Sequence, residues 1–348
     1  MKIRIKDIAE KAGVSVGTVD RVLHERGEVS KITREKILKI VEELNYEPDI
    51  LASTLASKRS FRFAFLIPRA DENNRFWVKP LTGLDDALAE IKHFSVHIEL
   101  FPFNQDSRDS FLKKANEVVS FAPDGVLLAP VFSGEALKFS SQLAELKIPF
   151  VFINSNIPGT NSIAYVGQSG IQSGAVAAKL MQFGLHAGEL AIVNIVRDKL
   201  NHNHLLQRAK GFKAFFNFDT PPAFQIHEVT VNDGDKYQLM NDLEKFLQVH
   251  PSTRGIFVTN SKVYKISSYY KLKDSKVKPV IIGYDLLPEN QQLLKEGLID
   301  FLISQKPEEQ AYRGVMSLFN HIILKKNVEK EQFLPIDIIT RENIEYYI

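Results

Sequence analysis

The 348-residue sequence contains no cysteine, so it has no disulfide framework, thiol nucleophile or thiolate metal site to offer. It has one tryptophan and four methionines, and nowhere about 18 consecutive apolar residues, the length that spans a bilayer. The start, MKIRIKDIAEKAG, turns charged where a secretory leader needs an apolar stretch, so a cytoplasmic protein with no membrane contact is expected. A net charge of +2 is too small to announce a polyanionic partner by itself.

Hydrophobic residues make up 44% of the chain and charged residues 25%, enough apolar material for large cores. The charge is unevenly placed. Residues 1 to 39 hold ten Lys/Arg against six Asp/Glu, leaving 34 against 36 elsewhere, so any field that attracts phosphate comes from the N-terminal head.

In that head, Lys6 to Ala12 reads as a helix with Ile8, Ala9 and Ala12 on one side, stopped by Gly13. Ser15 caps a second helix to about Leu23, with Val19, Val22 and Leu23 inward and Val16, Gly17, Thr18, Asp20 and Arg21 outward. Thr33 is read as the cap of a third helix whose Ile37, Leu38, Val41 and Leu44 cover the other two. Two short helices joined by a glycine turn suit a DNA-reading unit, and equally a small partner-binding module.

Ile5 to Ser15, Thr18-Val19, Arg21-Val22-Leu23, Thr33-Arg34-Glu35-Lys36 and Leu44-Asn45-Tyr46 with Pro48 resemble the head of the lactose-repressor (LacI/GalR) family. The resemblance implies that the second helix enters the major groove of an operator, with Val16, Gly17 and Arg21 at its reading positions. Arg21 can donate two hydrogen bonds to guanine, Val16 can touch a thymine methyl, and Gly17 reads nothing. Asp20 departs from the small hydroxyl residue usual in the family; it accepts from cytosine, pairs with His24 or orients Arg21. Ser15, Thr18, Lys31 and Arg34 are expected on phosphates. Residues 48–60 are expected as a hinge capped by Asp49, with Leu55 either wedged into the minor groove or packed on the next domain.

From residue 61 apolar runs of strand length alternate with helix-length periodic stretches, which implies parallel sheets covered on both faces. Strands are expected at 63–67, 96–101, 125–128, 150–153, 190–193, 255–258 and 280–283. Helices are expected at 79–92, 107–121, 171–183, 205–217, 236–248 and 307–324. Residues 333–340 read as a last strand. The fold class is therefore an all-α helix-turn-helix head (1–47) plus an α/β domain (61–348) of two doubly wound parallel-sheet lobes, similar to periplasmic binding proteins by the same resemblance. Lobe 1 is expected at about 61–163 and 291–326, lobe 2 at about 164–290 and 327–348.

Ligands of such sheets sit at strand C-terminal ends. Asn74, Phe76 and Trp77 follow the first strand and resemble a sugar-binding loop, with the amide on hydroxyls and the rings on an apolar sugar face; alternatively the rings close the lobe. Asn154, Asn260, Tyr284, Asp285 and Gln305 follow later strands and complete a ring of hydroxyl partners. Two positions depart from the family: its crossover Asp-Asn is Ser169-Gly170, and its arginine before Gly211-Phe212 is matched to Leu206, with Asn203 and His204 as substitutes. The effector is thus expected to be sugar-like but neither ribose nor lactose.

Gly167, Gly170 and Gly174 lack dinucleotide-loop spacing, His202 and His204 lack a third metal ligand, and there is no nucleophile, base and orienter set. No cofactor, metal or catalysis is expected. The expected function is an effector-controlled DNA-binding repressor acting as a homodimer on a pseudo-palindromic operator, since no leucine heptad follows the last strand to build a tetramer. The alternatives are a solute-binding protein without regulatory role, or a regulator whose cleft no longer takes a small molecule.

Overall fold

The computed structural model describes residues 3–23, 27–44, 46, 59–71, 74–197, 203–217, 223–273 and 278–348. The chain divides into two compact units, 1–59 and 60–348. Residues 47–58, with Leu55 and the expected Asp49 cap, lie outside the described residues, as does His24.

Among its described residues the first unit has three helices: α1 (Ile5–Ala12), α2 (Val16–Leu23) and α3 (Lys31–Glu43). Gly13 ends α1 at φ +67°, a left-handed conformation that costs glycine little, and the turn brings α2 across α1. Ile8, Ala9, Ala12, Val19, Val22, Ile37 and Ile40 form one small core. Two expectations fail here. The cap of α3 is Ser30, whose Oγ accepts from the Thr33 N–H at 3.2 Å, and Leu38 lies on the solvent side while Ile40 is buried. Ile37, Ile40, Val41 and Leu44 share one face at spacings of three to four, and Leu38, about 100° round from Ile37, falls off it.

The second unit contains two six-stranded sheets. The strands of the first are β1 (Phe61–Pro68), β2 (Val96–Phe103), β3 (Gly125–Leu128), β4 (Phe150–Ile153), β5 (Ala164–Gly167) and a short β11 (Glu331–Phe333), in the spatial order β11-β5-β4-β3-β1-β2 and all parallel. Those of the second are β6 (Gly188–Val196), β7 (Phe224–Asn232), β8 (Thr253–Val258), β9 (Val280–Tyr284), β10 (Phe301–Ser304) and β12 (Asp337–Ile339), in the order β12-β10-β9-β8-β6-β7 with only β12 antiparallel. The first sheet carries α4 (Lys79–Glu90), α5 (Arg108–Phe121), α6 (Ser133–Glu145) and α12 (Pro307–Ile322). The second carries α7 (Gly170–Gly184), α8 (Asn203–Phe216), α9 (Lys236–Val249), α10 (Val263–Leu272) and α11 (Pro288–Lys295). Each sheet has a separate apolar cluster on either face, the double winding expected.

The lobe boundaries differ from those expected. Strand β5 belongs to the first sheet, α11 contributes Leu293 and Leu294 to the second lobe's core, and the expected final strand at 333–340 is two strands, one in each sheet. Pro335 lies between them, where a missing N–H interrupts any continuous ladder. The chain therefore crosses between lobes three times, after Gly167, after Ser304 and after Phe333. The buried Gln168 side chain ties these crossings together, its Nε2 donating to the Ser304 carbonyl (2.8 Å) and the Pro335 carbonyl (2.7 Å).

Gly174 and Gly211 let α7 and α8 touch backbone to backbone: a Cβ on Gly174 would lie 2.0 Å from the Arg208 carbonyl oxygen, and one on Gly211 2.0 Å from that of Ile171. Gly174→Ala must push the helices apart, so a loss of about 3 kcal/mol of stability is expected in urea unfolding. An unchanged midpoint would refute this reading of the contact.

Candidate functional site

In the head, Ser15 caps α2 by accepting from the Thr18 N–H (3.2 Å), and its hydroxyl also lies 2.9 Å from that of Thr18. This fixes the start of α2 and leaves Val16, Gly17 and Arg21 exposed along one side. Arg21 Nε donates to the Gly17 carbonyl at 3.1 Å, which steers the guanidinium along the helix while its terminal nitrogens stay out of that bond. Arg21 and Arg34 line one groove with Glu28 and Ser30. Lys31 is exposed at the first turn of α3, and Asp20 is half-buried.

Between the two lobes of the second unit lies a cleft of about 90 Å³. Seven of the ten residues expected for the effector line it: Asn74, Phe76, Trp77, Asn154, His204, Asn260 and Gln305. Phe76 and Trp77 meet edge to face, with centroids 4.9 Å apart, on a short 3₁₀ turn (Arg75–Val78). The amides are held in place: Asn74 Nδ2 donates to the Arg69 carbonyl (3.1 Å), Asn260 Nδ2 to the Ile195 carbonyl (2.7 Å) and Asn154 Nδ2 to Gln305 Oε1 (3.3 Å).

The other three are not in the lining. Ser169 caps α7, accepting from the Gln172 N–H at 3.3 Å. The Tyr284 ring is fully buried with its hydroxyl 2.7 Å from that of Ser173, since strand alternation turns it into the core beneath the cleft. Asp285, at φ +66°, turns the other way and holds Gln305: its carboxylate accepts from Gln305 Nε2 (2.6 Å) and from the Gln305 N–H (3.2 Å).

Sequence reasoning missed the most buried charge in the cleft. Leu206, matched to the family's arginine, is 57% exposed, whereas Arg208 is 4% exposed and lines the cleft. Its Nη1 donates to the Thr259 carbonyl (2.6 Å), its Nη2 to Gln305 Oε1, and its guanidinium stacks 3.8 Å from the centroid of Tyr284. Arg208 Nε is buried with no hydrogen-bond partner, a donor free for something entering the cleft. Helical phase was the signal available: positions 205, 208, 209 and 212 share the buried face of α8, and 206 does not.

Arg197, Gln105, Asp106 and Lys262 were also unforeseen, and two ion pairs bridge the lobes at the cleft's margins. Arg197 Nη1 lies 3.2 Å from Asp106 Oδ2, and Arg75 Nη1 lies 3.0 Å from Glu289 Oε1. All four side chains are a third or so exposed, so each pair contributes under about 1 kcal/mol, a latch weak enough to open reversibly. Lys262 is anchored by Asp233. Burial raises that carboxyl's pKa, but the ammonium groups of Lys262 and Lys265 outweigh it and hold it below its ordinary value. A larger cavity of about 630 Å³ opens on Arg75, Lys79, Lys306 and Tyr347, but it carries none of the cleft's amides.

Burial pushes the Asp285 carboxyl up to about 6, while the Arg208 guanidinium and the two bonds from Gln305 limit the rise. A native pKa above the unfolded one means that the stability this group contributes is full below about pH 4 and is lost as pH rises through 6. The difference in unfolding free energy between Asp285→Asn and the native chain should therefore shift by about 2 kcal/mol in the variant's favour from pH 4 to pH 7. A difference constant across that range would contradict the assignment.

Among known proteins, the model of the bacterial regulatory proteins of the lacI family matches residues 4–49, and that of the periplasmic binding protein domain matches residues 63–326. The ribose operon repressor of Halalkalibacterium halodurans is 32% identical over 264 residues, covering 74% of this chain and 72% of that one. The chain belongs to the lacI family. Catabolite control protein A of Priestia megaterium is 26% identical over 261 residues, 74% of each chain. The crystal structure of a LacI transcriptional regulator from Bacteroides fragilis superposes with a TM-score of 0.78 at 30% identity, over 83% of this chain and all of the other. This lacI-family member is accordingly a DNA-binding transcription regulator with a periplasmic-binding-protein-like domain. Its relatives named here are regulators rather than enzymes, and no helix among the described residues is long and apolar enough to cross a membrane.

Proposed function

We propose that the chain is a cytoplasmic repressor that binds a pseudo-palindromic operator as a homodimer and responds to a sugar-like effector held between its lobes, with no catalytic step. The observation that carries this reading is the convergence of five amide side chains, two rings and Arg208 on one interlobe cleft, the composition that recognises a polyhydroxylated ring. The name of the ribose operon repressor that it resembles supports both the effector class and the sign of regulation.

Coupling has a physical route. Gln305 lies at one of the three interlobe crossings and is held by Asp285 of the second lobe and Asn154 of the first, so a ligand that engages it acts on both lobes. Effector that prefers the closed lobes also strengthens the two marginal ion pairs, and the same free energy must then appear in operator affinity.

Selection of bound DNA from random sequence by the full chain, with and without a panel of monosaccharides and uronic acids, tests this. The expected outcome is a two-fold symmetric site whose affinity one sugar changes by about tenfold or more, within the usual range of allosteric coupling. That response should disappear in Asn74→Ala and Gln305→Ala. A selected site indifferent to every sugar would leave a regulator without small-molecule control, and selected single half-sites would refute the dimer.

A further inference from the structure

The second lobe carries another polar cluster at the opposite end of its sheet. Glu189 lies at the start of β6, His227 in β7 and His250 at the C-terminal cap of α9. Arg197 follows the far end of β6, so this cluster is roughly 25 Å of strand away from the cleft. Glu189 Oε2 lies 3.6 Å from His227 Nε2 and 3.5 Å from His250 Nδ1, and the three ligand atoms all fall within 4.8 Å of one another.

These separations are too long for hydrogen bonds. Glu189 Oε2 and His227 Nε2 are each fully buried as atoms and have no hydrogen-bond partner. Buried polar atoms left unpaired are uncommon in folded proteins and call for an explanation. Two atoms bound to one zinc ion at about 2.1 Å with tetrahedral angles lie about 3.4 Å apart, close to both measured separations.

The imidazoles of His227 and His250 stack with centroids 3.8 Å apart, closer than the roughly 5 Å of two rings on one tetrahedral ion, so ion binding must turn the rings apart; Phe246 packs 4.8 Å from His250. The His250 carbonyl accepts from the N–H (3.2 Å) and hydroxyl (2.8 Å) of Thr253, which fixes the turn that brings α9 back to β8.

We infer that Glu189, His227 and His250 form a binding site for a divalent transition ion of the zinc class, with two imidazole nitrogens and one carboxylate oxygen as ligands and water completing the coordination. The ion clamps the end of α9 to the outer strands β6 and β7. No sequence motif announced it, because the ligands are 38 and 23 residues apart and only the parallel register brings them together.

The test uses untagged full-length protein stripped with a chelator and titrated with zinc chloride by calorimetry, with cobalt(II) as a spectroscopic probe. Expected are one equivalent per chain at about micromolar affinity or tighter, and visible cobalt absorption of a four-coordinate site. His227→Gln and His250→Gln should each weaken binding by roughly 100-fold while operator binding is retained. Zinc should also shift the imidazole NMR signals of two histidines out of the nine in the chain, a readout on the native protein that stands even where a variant folds poorly. No binding below about 100 µM would overturn the site, well outside the range of structural zinc. Equal binding by native and variant chains, or shifts at other histidines, would overturn it too.

Discussion

Replacing Arg208 with alanine is expected to weaken effector binding at least about 100-fold and to lower the stability of the effector unit by about 3 kcal/mol. The guanidinium is buried, so its removal leaves the Thr259 carbonyl without a donor and Gln305 Oε1 with Asn154 alone, and takes the cation from the face of Tyr284. Asp285 also loses the positive charge that restrains its pKa, and its carboxyl should titrate above 6 in the variant. Gln305 is then free to turn away from Asn154. Arg208→Lys should recover only part of the affinity, since an ammonium cannot present the planar fork that reaches two acceptors at once. Calorimetric titration with the sugar found by selection measures the first effect and urea unfolding the second. Operator binding without sugar should persist, because the head has its own core. An affinity within twofold of the native value would remove Arg208 from the site.

The second large effect is expected in the head. Arg21→Ala should cost about 10- to 100-fold on the preferred operator, the value of one bidentate arginine–guanine contact, with much less change on unrelated DNA. The exposed position of Arg21 on α2, with Nε held by the Gly17 carbonyl, directs its terminal nitrogens outward. Binding isotherms on both DNAs across a salt series distinguish the roles. A phosphate contact would lower affinity equally on every sequence and reduce the salt slope by about one. With Val16 and Gly17 as its neighbours, Arg21 carries most of the hydrogen-bonding capacity on this face of the helix.

The amino-acid sequence by itself determined the head and the alternation of strands and helices. Both rest on local physics: a capping serine, a glycine at positive φ, and apolar residues at spacings that suit a helix stripe or a strand. It also placed seven cleft residues, because side chains of the segments that follow strand ends face the crevice in a doubly wound sheet. Helices α6, α10 and α11 were not among those expected, although α6 and α10 bury residues at helical spacing, Ala136, Phe139 and Leu143 in one and Val263, Ile266 and Tyr269 in the other.

Only the tertiary structure decided which of two adjacent residues turns into the core. Tyr284 and Asp285 are neighbours, yet one is packed beneath Arg208 and the other holds Gln305, an outcome set by the register of β9 against β8 and β10. The same holds for the partners of Arg208: helical phase marks it as inward, but its bonds to the Thr259 carbonyl and Gln305 depend on how the Gly174 and Gly211 contact sets α8 against α7. It holds again for the split of residues 331–339 between two sheets, and for the meeting of Glu189, His227 and His250. Each of these depends on contacts between segments distant in the chain, whose relative positions are fixed by packing and strand register, and a local sequence pattern carries no record of either.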